Sequence, residues 1–163
     1  MEERYRISLD PGTERLFSAG PLIPGSWSHP RNEENGRAIE GHLLVDTGAY
    51  GAMIDLDVAY ALALPIRGRQ EIHGIHGYGT LGRYQAKLTL PARDDIEGRE
   101  RDFMTAMDCV AVPALVEKNR EHGIKLIGIL GRVFLKFARI EIDFTSGKLN
   151  LLIKNAPREH GER

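Results

Sequence analysis

One stretch of the 163-residue chain limits its possible folds more than any other: His42-Leu43-Leu44-Val45-Asp46-Thr47-Gly48-Ala49. Three consecutive apolar residues are typical of a buried strand, and this strand leads directly into an acid, a hydroxyl and a glycine. An unpaired carboxylate beside the core is costly, so the position of Asp46 requires a reason. Asp-Thr-Gly can form a simple turn, but a carboxylate held at this point can also be the reactive group of an enzyme.

A second stretch about eighty residues later has a related pattern, Ile127-Gly128-Ile129-Leu130-Gly131-Arg132-Val133-Phe134-Leu135. It predicts an apolar strand, broken by glycine, followed by a short amphipathic helix. Between the two stretches, residues 70–90 predict a long β-hairpin, because polar and apolar residues alternate on its return strand. Its tip is Ile72-His73-Gly74-Ile75-His76-Gly77-Tyr78, where the glycines allow the backbone to bend without steric cost.

Taken together, these stretches resemble the retropepsin-like aspartic proteases, the family of the retroviral proteases and their cellular and bacterial relatives. Residues 44–49 resemble the catalytic loop of the family, and residues 129–132 resemble its apolar-apolar-Gly segment, through which that loop is threaded. Residues 72–78 resemble the flap tip that closes over substrate. The resemblance covers about residues 20–153 and implies a mainly β fold, the closed β-barrel of the acid proteases, with a short C-terminal helix and one lobe per chain.

The resemblance also implies roles for individual residues. The catalytic residues would be Asp46, Thr47 and Gly48, with Thr47 joining two loops by hydrogen bonds across a symmetry axis. The residues that contact substrate would be Ala49, Gly74, Ile75, His76, Gly77 and Tyr78. The residues that support the site structurally would be Ile129, Leu130, Gly131 and Arg132.

Aspartic proteolysis needs two facing carboxylates, one acting as base on a water molecule and the other as acid to the peptide carbonyl. The chain contains one Asp-Thr-Gly triplet, and the segment Asp143-Phe144-Thr145-Ser146-Gly147 has the wrong spacing and is more typical of a hairpin turn. The second carboxylate must therefore come from another copy, which predicts a two-fold symmetric homodimer with Asp46 of each subunit on the axis. Activity should be greatest at acidic to mildly acidic pH, because two close carboxylates cannot both ionise cheaply.

The sequence departs from the retroviral pattern in two places. Retroviral members carry two acids shortly after the triplet, which hold substrate backbone and an arginine corresponding to Arg132, whereas this chain has Tyr50 and Gly51. Arg132 must therefore have another partner. The terminal strands of retroviral enzymes interleave at the dimer interface, but here a strand-like extension, residues 1–19, precedes the matched region and a polar tail, residues 154–163, follows it.

Composition and charge argue against several function classes. The net charge is −1 and no basic cluster is present, so nucleic acid is not an expected partner. The N-terminus lacks an apolar signal segment and no apolar run reaches membrane-spanning length, so we expect no membrane association and a cytoplasmic location. His73 and His76 lack further ligands nearby, so we expect no metal and no cofactor.

The remaining pattern predicts local structure. Residues 4–9 and 15–24 are expected as strands, residues 26–36 as a polar loop with Trp27 as a packing lid, and residues 94–102 as a solvated turn. Asp55 is expected to cap a helix that Pro65 ends, and residues 113–120 are expected to form another helix.

Two functional classes follow from these observations. The first is an aspartic endopeptidase that cleaves extended peptides between the flap and the catalytic loop. The second is a catalytically silent dimeric module on the same scaffold, which binds peptides or acts as an adaptor. The intact Asp46-Thr47-Gly48 triplet and the glycine-rich hairpin favour the endopeptidase.

Overall fold

The computed structural model describes residues 2–31, 36–74 and 77–154, except for the side chains of residues 74, 77 and 78. Its strands are β1 (Glu3–Leu9), β2 (Leu22–Ser28), β3 (Ala38–Val45), β4 (Ala52–Asp55), β5 (Ile66–Gly74), β6 (Gly77–Leu90), β7 (Arg93–Asp94), β8 (Arg99–Glu100), β9 (Phe103–Val112), β10 (Leu126–Leu130), β11 (Ala138–Asp143) and β12 (Lys148–Lys154). Its helices are α1 (Thr13–Ala19), α2 (Leu56–Ala61), α3 (Leu115–Asn119) and α4 (Arg132–Leu135), with a 3-10 turn at Arg120–His122.

The main sheet closes on itself as a six-stranded barrel. Its strand order is β2-β3-β10-β4-β9-β6, and pairing between β2 and β6 completes the circle. β5 lies outside the barrel and pairs only with β6 in this sheet, so the two strands form a long hairpin that extends from the wall. The predicted mainly β fold with a closed barrel is therefore confirmed, as is the predicted hairpin.

The core of the barrel is built around Trp27, and here the sequence prediction was wrong. Trp27 does not cover a polar loop; it lies in β2, is fully buried, and donates from Nε1 to the carbonyl of Ile127 at 3.2 Å. Alternation along β2 turns Ile23, Gly25 and Trp27 towards the core. Gly25 is required there because a Cβ would come within 2.6 Å of Leu43 Cδ1.

A second sheet brings the two ends of the described chain together. Its strand order is β11-β12-β1-β7-β8, and β1 pairs with β12 in antiparallel register, with Ile7 opposite Leu151. The strand predicted over residues 15–24 was wrong in its first half, because residues 13–19 form α1 and only Leu22 begins a strand. This helix buries Leu16 against the core.

The two predicted helices both form, but each is shorter than predicted, and the first, α2, ends at Ala61 rather than at Pro65. The carboxylate of Asp55 caps α2, accepting hydrogen bonds from the amides of Asp57 at 2.9 Å and Val58 at 3.2 Å. The helix predicted over residues 113–120 is shorter, since α3 spans Leu115–Asn119. None of the helices in the described part of the chain is long and apolar enough to span a membrane.

The predicted solvated turn at residues 94–102 contains a buried acid instead. Asp94 is fully buried and accepts hydrogen bonds from Arg4 Nε at 2.9 Å and from the amides of Ile96 at 3.0 Å and Glu97 at 3.1 Å. The hydrogen bond from Arg4 is the largest cause that lowers the pKa of Asp94. Asp94 therefore ties β1 to the β7–β8 turn.

This ion pair should make the fold sensitive to acid. Since the pKa of Asp94 is lower in the folded state, the contact stabilises the protein fully above about pH 3.9 and is lost as pH falls through the folded-state value. In urea denaturation, the wild-type midpoint should fall on acidification, whereas Asp94→Asn should start lower and fall less. Asp95→Asn is the control, because Asp95 pairs with Arg6 at 2.9 Å on the surface. Equal pH slopes for wild type and Asp94→Asn would contradict this role.

Candidate active site

Asp46 lies at the point where β3 leaves the barrel. β10 runs between β3 and β4. It is parallel to β3, with Leu130 opposite Val45, and antiparallel to β4, with Ile129 opposite Met53. The connection from β3 to β4, residues 46–51, must therefore cross the end of β10. This crossing brings the two stretches singled out in the sequence into contact.

The backbone around Asp46 fixes one of its two carboxylate oxygens. The amide of Asp46 donates to the carbonyl of Leu130 at 3.0 Å, which continues the β3–β10 pairing by one residue. Oδ1 of Asp46 accepts from the amide of Gly48 at 2.7 Å, while Oδ2 accepts no hydrogen bond from any residue that the structure describes. Asp46 is half-buried, and Thr47 and Gly48 are exposed. One oxygen is thus positioned by the loop and the other is available to an external group.

The segment after β10 contacts the backbone of this loop and supports it. A Cβ at Gly131 would come within 2.6 Å of the carbonyl oxygen of Ala49, so a side chain cannot be placed there without moving the backbone. The amide of Arg132 donates to the carbonyl of Ala49, and the amide of Val133 donates to the carbonyl of Tyr50, both at 2.9 Å. The first residues of α4 therefore hold the loop by its carbonyl groups.

Tyr50 and Gly51, which stand where retroviral members carry acids, provide no ion-pair partner for Arg132. Arg132 is exposed, and within the described residues no carboxylate lies within salt-bridge distance of its guanidinium. Tyr50 is 69% exposed, and a Cβ at Gly51 would meet nothing within 4 Å. Support of the loop by α4 is thus a matter of backbone hydrogen bonds.

A groove of about 1420 Å³ begins at the loop and extends along the β5–β6 hairpin. Gly48 and Ala49 line it, whereas Asp46 and Thr47 lie outside its lining. The loop and hairpin residues that also line it are Tyr50, Gly51, Arg67, Gln70, Glu71, Ile72, His73, Arg83 and Gln85. The remaining lining comes from Ala52 and Met53 of β4, from residues 103 and 105–110 of β9, and from Arg132, Val133, Phe134 and Phe137 at α4. The groove therefore lies between the loop, the hairpin, β9 and α4, and it is large enough for an extended ligand.

Part of the predicted flap tip cannot be compared with the structure. Ile75 and His76 lie outside the described residues, and so do the side chains of Gly74, Gly77 and Tyr78. The backbones of Gly74 and Gly77 pair with each other at the end of the hairpin. Substrate contacts by these five residues stay a prediction.

Sequence reasoning missed the polar side chains on the outer face of the hairpin. Arg67 Nη2 donates to Gln85 Oε1 at 2.6 Å, and Arg83 Nη2 donates to the carbonyl of Arg67 at 3.2 Å. The alternation that turns Tyr84 and Ala86 inward places Arg83 and Gln85 outward, so their direction could have been inferred. That they line the groove depends on the pairing with β5.

Two other reactive side chains have structural roles. The exposed Asp143 accepts from the amides of Thr145 at 2.9 Å and Ser146 at 3.1 Å. The hydroxyl of Ser146 also donates to it at 2.7 Å, and this bond is the largest cause that lowers the pKa of Asp143. Asp143 thus shapes the β11–β12 turn, as predicted. Cys109 is buried, and its burial raises the pKa of the thiol far above the usual range.

Within residues 2–31, 36–74 and 77–154, no three His, Cys, Asp or Glu side chains lie close enough together to hold a metal ion. The fold and the site together define a mainly β protein, built on a closed six-stranded barrel, with a half-buried aspartate on a loop at the barrel end. The sequence matches no protein-family model and no curated protein.

The contact between Gly131 and Ala49 can be tested with a neighbouring glycine as control. Gly131→Ala should lower the free energy of unfolding by about 1–3 kcal/mol, because the added methyl group would overlap the carbonyl of Ala49. Gly51→Ala should change it by less than about 0.5 kcal/mol, because the space beside Gly51 is open. Urea denaturation monitored by Trp27 fluorescence measures both. Equal effects would mean that the loop does not pack on Gly131 as described.

Proposed function

We propose that this protein is an aspartic endopeptidase with a retropepsin-like fold, active as a homodimer in which Asp46 of each subunit contributes one carboxylate. The observation that carries the proposal is the position of Asp46, on a loop that crosses the end of β10 and is held there by Gly131 and α4. The agreement between this geometry and the two sequence stretches that resemble the family is the main support.

The hydrogen bonding of Asp46 suits the chemistry of a carboxylate dyad. Oδ1 is held by the amide of Gly48, so the carboxylate has a defined orientation, and Oδ2 is left to face a second carboxylate or a water molecule. In such a dyad one carboxylate is ionised and removes a proton from the water as it attacks the peptide carbonyl. The other is protonated and donates to the carbonyl oxygen. As the tetrahedral intermediate then collapses to the carboxylic acid, the first carboxyl gives the proton taken from water to the leaving amine nitrogen, and a hydroxyl of the intermediate returns a proton to the second carboxylate.

The groove suits an extended peptide. It runs from Gly48 and Ala49 along the β5–β6 hairpin, so a bound segment would lie beside the backbone of both. An extended peptide can pair with exposed backbone groups, and its alternate side chains then enter the groove. Ile72 and Met53 offer apolar surface to such side chains, and Arg67 and Glu71 offer charge.

The catalytic role of Asp46 predicts complete dependence on its carboxylate. Denatured casein should be cleaved by wild type between about pH 3 and about pH 7, with specific activity rising as concentration favours the dimer. Asp46→Asn should reduce the rate by about 100-fold or more, because a neutral amide cannot act as base. Pepstatin should inhibit the wild type.

The matched control is Asp102→Asn, which removes an exposed carboxylate that forms no salt bridge to another described residue and should leave the rate unchanged. If wild type and Asp46→Asn are equally inert while sedimentation shows a stable dimer, the proposal fails. The protein would then be a dimeric module that binds peptides or acts as an adaptor.

Thr47 provides a second test through conservative replacements. Thr47→Ser keeps the hydroxyl and should retain most activity, whereas Thr47→Val keeps the shape and should lower activity about tenfold, since it removes a hydrogen bond from each subunit. Thr47 is exposed in the isolated subunit, so neither change should alter the urea midpoint under monomeric conditions. If the two variants are equally active, the hydroxyl of Thr47 does not have the role proposed for it.

A further inference from the structure

Helix α1 exposes a large aromatic side chain. Leu16 is buried in the core, while the next residue, Phe17, is 85% exposed. Consecutive residues of a helix point about 100° apart, so a helix that buries Leu16 turns Phe17 away from that contact. Phe17 is more exposed than any other large apolar side chain in the described part of the chain, which requires an explanation.

This helix lies next to the loop that carries Asp46. The amide of Val45 donates to the carbonyl of Pro21 at 3.0 Å, and a Cβ at Gly20 would be 3.4 Å from Leu44 Cδ1. Phe17 precedes Pro21 by four residues, so their Cα atoms are at most about 14 Å apart. Phe17 and the carboxylate thus belong to the same end of the barrel.

The beginning of α1 is also held by hydrogen bonds. The amide of Gly12 donates to the carbonyl of Gly147 at 3.0 Å, and the hydroxyl of Thr13 donates to the carbonyl of Thr145 at 3.3 Å. Both acceptors lie in the turn between β11 and β12. Held at both ends, α1 presents Phe17 on a defined surface.

The terminal strands are already occupied within the subunit. β1 lies between β12 and β7, and β12 lies between β11 and β1. Interleaving of terminal strands between two copies would require these pairings to be broken. A second copy must therefore use another surface near Asp46, and α1 is adjacent to it.

We infer that the exposed face of α1, centred on Phe17, is the surface that binds a second copy of this chain and brings the two Asp46 side chains together. The inference rests on the proposed function, since one carboxylate per subunit leaves the site incomplete without that copy. An isologous contact places the same surface on both sides, so it must be complementary to itself. Glu14 lies on the same face of α1 as Phe17, whereas Arg15 points to another side of the helix, so the self-complementarity of the contact rests on the apolar side chain of Phe17.

Sedimentation velocity over a range of concentrations tests this surface separately from catalysis. The Asp46→Asn background prevents self-cleavage, and the variants compared within it are Phe17→Leu and Phe17→Asp. Phe17→Leu should dimerise like its parent, whereas Phe17→Asp should raise the dimer dissociation constant about tenfold or more, because apolar burial is lost and like charges meet. Ile96→Asp is the control, since Ile96 is 60% exposed in the β7–β8 turn.

Thiol labelling gives a second measurement that does not depend on a charged substitution. The sole native thiol, Cys109, is fully buried, so a cysteine introduced in Glu14→Cys, which keeps Phe17 and lies on the same face of α1, is the one that a maleimide reaches under native conditions. Its labelling rate should fall as protein concentration rises through the dimerisation range. The labelling rate of Ile96→Cys should not change.

The outcomes separate the interface from the chemistry. If the parent dimerises and Phe17→Asp dimerises equally well, or if Glu14→Cys labels at the same rate at all concentrations, the inference is overturned while the proposed function stands. If the parent stays monomeric at every concentration, the inference is also overturned. If the dimer depends on Phe17 but the wild type cleaves no substrate, the interface stands and the proposed function fails.

Discussion

The arrangement around Asp46 depends on one close approach, that of Gly131 to the backbone of Ala49. Because Gly131 has no side chain, the loop from β3 to β4 can cross the end of β10 in contact with it. The amides of Arg132 and Val133 then donate to the carbonyls of Ala49 and Tyr50. At the start of the loop the amide of Asp46 donates to Leu130, so the loop is fixed to the barrel at both of its ends. The direction of the Asp46 carboxylate is therefore set by the barrel, even though the residue lies in a loop, and such rigidity is what a catalytic carboxylate requires.

How well the sequence predicted each element follows from how local its cause is. The cap of α2 was predicted because Asp55 bonds to amides two and three residues away. Trp27 was misplaced because its burial depends on the carbonyl of Ile127, one hundred residues later in the chain. Residues 15–19 were misassigned for a similar reason, since α1 is held by the distant β11–β12 turn.

The candidate site also has features with a local cause, which could be predicted, and features that depend on distant residues, which could not. The two stretches that meet at Asp46 and Gly131 could be found in the sequence because each carries its own signal, a strand ending in a small polar or glycine residue. The residues that line the groove could not be found in the sequence, because a register shift between Ile66 and Gly68 changes which residues of β5 and β6 stand opposite each other. The burial of Asp94 was equally hidden, since a charge-rich segment normally faces water and only the pairing with Arg4 reverses this.

Acid would act on such an enzyme in two opposite ways. A carboxylate dyad needs one proton, so mild acidification favours the competent state. Yet Asp94 ties β1 to the β7–β8 turn, and the same sheet contains the β11–β12 turn that holds the start of α1. Protonation of Asp94 would weaken that sheet, and with it the contacts that hold α1 and the surface proposed to bind the second copy. Loss of activity at low pH would therefore have two causes, protonation of the second carboxylate of the proposed dyad and dissociation of the dimer, and only the second would depend on protein concentration.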